Sequence, residues 1–189
     1  MPRMSASAKE ESHDRILTAA ARLFRERGIE ATSVADIMKA AGLTHGGFYR
    51  HFDSKQALVT AAFRRAVEEL LSEAEAAPDR EEAQARFLAR YLSSEHVGDP
   101  GHGCPLIALG AEIARDDGPA QTEASSAMER MAALLATGEQ DDVDPGLAMM
   151  ALLLGAVSLA RIAKSPELSA KMRAVGERGV DVLKSHWRD

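Results

Sequence analysis

Two short apolar stripes separated by Ala41-Gly42-Leu43 constrain this chain more than any other feature. Val34, Ile37, Met38 and Ala41 share one helical face over about two turns. Ser33 and Asp36 stand at capping-box spacing ahead of it, in the weaker Asp form. Gly42 can leave a helix through the left-handed region, and Leu43 and Thr44 then open a further helix carrying Phe48 and Phe52 four residues apart. The preceding stretch supplies a third helix. Ile16, Ala20, Leu23 and Phe24 line one face from about Lys9 until Gly28 stops it, with Arg15, Arg22 and Arg25 away from that stripe. Short helices cornered by a glycine and locked by apolar residues are the layout of a helix-turn-helix unit.

The remainder also reads as helix. Asp53, with Gln56 three residues on, caps a long pattern through Leu58, Ala62, Phe63, Val67, Leu70 and Leu71 that ends near Pro78. An amphipathic stretch over 81–94, through Ala85, Leu88 and Leu92, precedes a glycine-rich loop at 96–103. A proline-opened apolar helix follows over 105–115, then helices over 120–137, 147–164 and 167 to about Trp187, with an acidic loop at 138–144. Apolar residues at 46% predict a packed protein, and alanine and leucine with only 4% aromatics favour helix over sheet. The expected fold is all-α with about nine helices: a helix-turn-helix head over 1–54 and a helical bundle over 55–189.

The net charge of −6 argues against nucleic-acid binding only until its distribution is considered. Residues 1–65 hold 11 Lys and Arg against 7 Asp and Glu; residues 66–189 hold 12 against 22. A basic head on an acidic body suits contact with DNA through one end. Cys104 is the only cysteine, which fits a reducing compartment, and the first residues have no apolar core of the kind a signal peptide needs. The longest uncharged run, 145–160, falls short of the roughly 20 residues of a bilayer span. A cytoplasmic protein without a membrane partner is expected.

Catalytic constellations are missing: the sequence has no nucleophile elbow, Walker sequence, HExxH or paired-cysteine site. Gly101-His102-Gly103 follows no strand and reads as loop, and the spacing of His96, His102 and Cys104 matches no common metal pattern. Neither enzyme activity nor a cofactor or metal is expected. On the helix starting at Thr44, the face opposite Phe48 and Phe52 presents hydroxyl, imidazole and guanidinium groups that can donate to phosphates or base edges.

Ala31-Thr32-Ser33-Val34-Ala35-Asp36-Ile37, followed by the run from Ala40 through His45-Gly46-Gly47-Phe48-Tyr49-Arg50-His51-Phe52 to Leu58, closely resembles the signature of TetR-type regulators. Leu23, Phe24 and Gly28 fit the same pattern, and the resemblance covers about 12–63. It implies that Thr44 and His45 meet phosphate and base edges, that Gly46 lets the backbone approach DNA, and that Tyr49 and His51 hold phosphates. It further implies that Ser33 and Lys55 contact phosphate at the starts of their helices; Arg50, exposed by periodicity, can read a guanine. Gly47 departs from the pattern, and two adjacent glycines predict a recognition helix that is loose until DNA firms it.

For the body, the resemblance implies an effector pocket and a homodimer formed through the last two helices. The apolar circumference of 147–162, with the pairs Gly155-Ala156 and Met149-Met150, suits such an interface. Candidate pocket residues are Phe63, Val67, Phe87, Tyr91, Cys104, Leu109, Met128 and Met131, which suggest a small hydrophobic effector. Cys104 precedes Pro105 at a helix start, where the macrodipole can lower a thiol pKa and support sensing. The expected function is a repressor released from operator DNA by an effector. The alternative is a helical binding protein or enzyme that has lost specific DNA binding.

Overall fold

A computed structural model describes residues 6–136 and 144–186. The acidic loop expected at 138–144 and the expected helix end at Trp187 lie outside them, apart from Asp144, which opens a helix. Among the described residues there are nine α-helices and two short 3-10 segments, with no strand. The head holds α1 (Ala6–Arg27), α2 (Val34–Ala40) and a 3-10 segment, His45–Arg50. The body holds α3 (Lys55–Glu75), α4 (Arg80–Tyr91), α5 (Ser94–Gly98), α6 (Pro105–Ile113), α7 (Pro119–Leu135), α8 (Asp144–Ile162) and α9 (Pro166–His186).

Local chemistry sets most of these boundaries. Gly28 and Gly42 turn out of α1 and α2 at φ +86° and +70°, where a side chain would be strained. Ser33 accepts from the Asp36 amide while the Asp36 carboxylate accepts from the Ser33 amide, a complete capping box. Ser54, not the expected Asp53, caps α3 and Asp79 caps α4, each by one side-chain oxygen accepting a backbone amide, and Pro105 and Pro119 open α6 and α7. The span 96–103, expected as loop, instead contains α5 and a 3-10 turn at Pro100–His102. Ser93 explains the first: its hydroxyl accepts from the His96 amide, 3.0 Å.

The long helix α3 belongs to both halves. It packs on α1 in the head and on α4 and α7 in the body, burying Leu58, Phe63, Val67, Leu70 and Leu71. Each such side chain stabilises the fold by about 1.5–3 kcal/mol relative to exposure. Helix α8, with 19 residues, extends beyond the uncharged run it contains and is long and apolar enough for a bilayer span by length and composition alone. One side of it, including Met149, Leu153, Val157 and Ala160, is nevertheless packed inside the bundle against α7 and α9. The close approach of α8 and α9 depends on Ala156 and Gly176, since a Cβ at Gly176 would lie 2.7 Å from that of Ala156. Gly155 of the expected small pair faces open space.

Candidate nucleic-acid interface

The recognition segment is anchored from beneath by aromatic packing. Phe48 and Phe52 are buried and stacked with centroids 5.9 Å apart, and His13 of α1 stacks on Phe52 at 4.6 Å. These contacts turn Thr44, His45, Gly46, Tyr49 and Arg50 outward together. Tyr49 is 72% exposed, edge-on to Phe48. The segment is a 3-10 turn instead of the α-helix expected, consistent with two adjacent glycines that contribute no side-chain packing. A Cβ on Gly46 would meet nothing within 4 Å, and one on Gly47 the Met38 methyl at 3.6 Å and the Thr44 hydroxyl at 3.9 Å.

Sequence reading missed α1 as part of this surface. Lys9 and His13 line a concave cleft of about 600 Å³ with Arg50 and His51, beside Glu10 and Asp14. His51 Nδ1 is buried without a partner. Its burial, then the neighbouring His13, Lys9 and Arg50, holds the His51 pKa below the ordinary histidine range. The His51 ring is therefore neutral at pH 7.

Ser33 and Lys55 stand at the edge of this surface with internal partners. Ser33 serves the capping box. Lys55 Nζ donates to the Ile29 carbonyl at 2.6 Å, while the Ile29 amide donates to the Glu112 carboxylate of α6 at 3.0 Å. Glu112 also accepts from the Glu30 amide, 3.0 Å. The turn after α1 is thus held by the start of α3 from one side and by α6 from the other.

A second junction lies deeper. Arg25, expected away from the apolar stripe, is buried, and every part of its guanidinium is engaged. It donates to the Ala21 carbonyl (3.0 Å), the Gly103 carbonyl (3.3 Å) and Glu69 of α3 (2.8 Å). From α8, Arg161 donates to the His96 carbonyl at 2.9 Å. The Cys104 amide donates to His96 Nε2 at 3.1 Å, which leaves the proton of the neutral ring on Nδ1. Burial, with help from Arg161, Arg90 and Arg25, holds the His96 pKa down to about 4.

Cys104 corrects an expectation. It does sit at the start of α6, but it is fully buried, and desolvation pushes its thiol pKa up, away from a reactive thiolate. Its neighbours, His96 bonded to its amide and His102 turned outward to Asp99 at 2.7 Å, are engaged separately. Of the other pocket candidates, Phe63, Val67, Phe87, Tyr91, Leu109 and Met131 are buried in the bundle core, whereas Met128 is 38% exposed on α7.

The fold and its outward-turned recognition segment define a helix-turn-helix protein. Residues 16–62 match the model of bacterial regulatory proteins of the tetR family. The head of the chain, over residues 16–62, is therefore similar to that family. It is 34% identical over 107 residues to the transcriptional repressor KstR2 of Rhodococcus jostii, covering 56% of this chain and 52% of that protein. It is 36% identical over 93 residues to the transcriptional regulator AcrR of Shigella flexneri, covering 49% and 40%. The chain therefore spans about half the length of the relatives it matches. A TetR-family transcriptional regulator of Cytophaga hutchinsonii has the same fold over 95% of this chain and 97% of its own, with TM-score 0.72 and 21% identity. One from Chloroflexus aurantiacus is 27% identical with TM-score 0.69, each chain covered to 94%.

Proposed function

We propose that this protein is a cytoplasmic, homodimeric transcription repressor that releases operator DNA when a small effector binds its body. The observation that carries the reading is the recognition segment: donors turned outward as a set, over an aromatic base that leaves them no internal work. Thr44, His45, Tyr49 and Arg50 would meet phosphates and base edges, with Gly46 allowing the backbone close. His51, Lys9 and His13 would hold the flanking phosphate. Ser33 and Lys55 would add phosphate contacts at the helix starts only by sharing or exchanging their present partners.

The dimer reading rests on two exposed apolar stripes. Leu147, Leu159 and Ile162 lie on one face of α8 with Ala151 and Gly155, and Leu168, Val175 and Val182 recur every seven residues on α9. Two copies joined there would set their recognition segments about one turn of DNA, roughly 34–36 Å, apart. Head and body communicate through Arg25–Gly103 and Glu112–Ile29, so an effector that prefers another body shape lowers DNA affinity by its differential binding.

Fluorescence anisotropy with the duplex flanking the protein's own gene tests this. Nanomolar binding that weakens steeply with salt and resists an equal concentration of random DNA is the expected result. Absence of salt-dependent binding, or equal competition by random DNA, overturns it.

A further inference from the structure

Among the described residues the bundle holds three buried side-chain donors without a hydrogen-bond partner: Arg173 Nε of α9, the Tyr91 hydroxyl and Arg161 Nε. The Tyr91 hydroxyl of α4 and Arg161 Nε of α8 are both shut off from solvent and both without a partner. The tyrosine is 0% exposed, its ring stacked on Phe87 at 5.0 Å and edge-on to His96 at 4.6 Å. The two groups are close enough for each to perturb the ionisation of the other, and the Cys104 thiol stands beside them. Burial raises the phenol well above its usual range, which keeps it a neutral O–H donor.

Arg161 differs from Arg25 in its charge balance. Arg25 has Glu69 at 2.8 Å, but no carboxylate lies within ion-pair distance of Arg161 among the described residues. Its one hydrogen bond is to the neutral His96 carbonyl. A half-buried cation that feels Asp99 only from beyond ion-pair distance and a buried phenol with only the Cys104 thiol beside it as an acceptor lack the same thing: an anionic oxygen. Tyr91 belongs to an aliphatic and aromatic core that also buries Phe87, Leu109, Met131 and Met149. Methionine can repack around an entering apolar body.

We propose that Tyr91 and Arg161 form the anchor for a carboxylate, and that the effector is a small organic acid with an apolar body. This inference rests on the regulator reading above only for the word effector; the site itself does not depend on it. One carboxylate oxygen accepts from the Tyr91 hydroxyl and the other from Arg161 Nε–H. Arg161 also holds the His96 carbonyl, and a Cβ on Gly103 would overlap its Nη2, so a ligand that draws on this guanidinium acts on the loop bonded to Arg25.

Calorimetry with straight-chain carboxylates from hexanoate to dodecanoate, each paired with the alcohol of equal length, tests the site in the full-length protein. At least one carboxylate should bind, and bind roughly tenfold or more tightly than its alcohol. Tyr91→Phe, which keeps the ring, and Arg161→Lys, which keeps the charge, should each weaken the carboxylate about tenfold while leaving the alcohol unchanged, with folding checked by thermal unfolding. Equal binding of acid and alcohol, equal loss of both in the variants, or no binding across the series overturns the anchor. DNA anisotropy on the same samples separates the two readings. A carboxylate that binds without releasing DNA sustains the anchor and refutes the effector role; DNA binding untouched by a series that never binds refutes the anchor alone.

Discussion

The recognition segment and the Arg25–His96–Arg161 junction are both built from basic side chains, yet they treat those side chains in opposite ways. In the recognition segment, His45, Tyr49 and Arg50 are exposed and have no partner among the described residues beyond Tyr49's edge contact with Phe48. At the junction, Arg25 spends its whole guanidinium on three internal acceptors and His96 is held neutral beneath the surface. Exposed donors remain available for a partner and cost the fold little when removed. Buried ones are part of the fold, and their removal leaves desolvated acceptors behind.

The contrast is broken most readily at Arg25. Arg25→Met strands the Gly103 carbonyl and half of Glu69, and should cost on the order of 3 kcal/mol in urea unfolding; a loss below about 1 kcal/mol would place the junction with the surface. His96 gives a comparable effect through pH. Its folded pKa of about 4 lies below the ordinary 6.5, so the unfolded chain takes up the proton first. Its contribution is complete above pH 6.5, falls as pH drops toward 4, and amounts to about 3 kcal/mol. A His96→Gln protein should lack that part of the slope.

Lys55 sharpens the boundary between the two behaviours. If its bond to Ile29 persists on DNA, Lys55→Gln costs about 1 kcal/mol of stability and leaves the salt dependence of binding unchanged. If it exchanges to phosphate, the salt slope falls by about 1. Smallest of all are the glycines. Gly47→Ala meets only ordinary contacts, with Met38 and Thr44, and should stabilise the free head by about 0.5–1 kcal/mol. Gly46→Ala should stabilise it similarly while weakening DNA binding, a split that thermal unfolding and anisotropy together would reveal.

Much of the head was legible in the sequence because its rules are local. The Gly28 stop, the Ser33–Asp36 box, the Gly42 corner and the Phe48–Phe52 pair all act within a few residues of one another. The junction was not, because its bonds join residues far apart: Arg25 to Gly103 spans 78 positions and Arg161 to His96 spans 65. Periodicity placed Arg25 outside the apolar stripe, which is true of α1 alone; α3 and the 100–103 turn then cover it. At Cys104 a local rule pointed the wrong way. The helix start favours a thiolate, but complete burial outweighs it and raises the thiol pKa.

Gly28 is constrained twice. Its φ of +86° excludes ordinary side chains, and a Cβ there would come within 2.7 Å of Glu112 Oε1, the carboxylate by which the body grips the turn. Any residue introduced at this position must prise that grip open from the head side. In genetic terms, position 28 should be a hot spot for uncoupling alleles: selection for proteins that stay on DNA in saturating effector should return substitutions here.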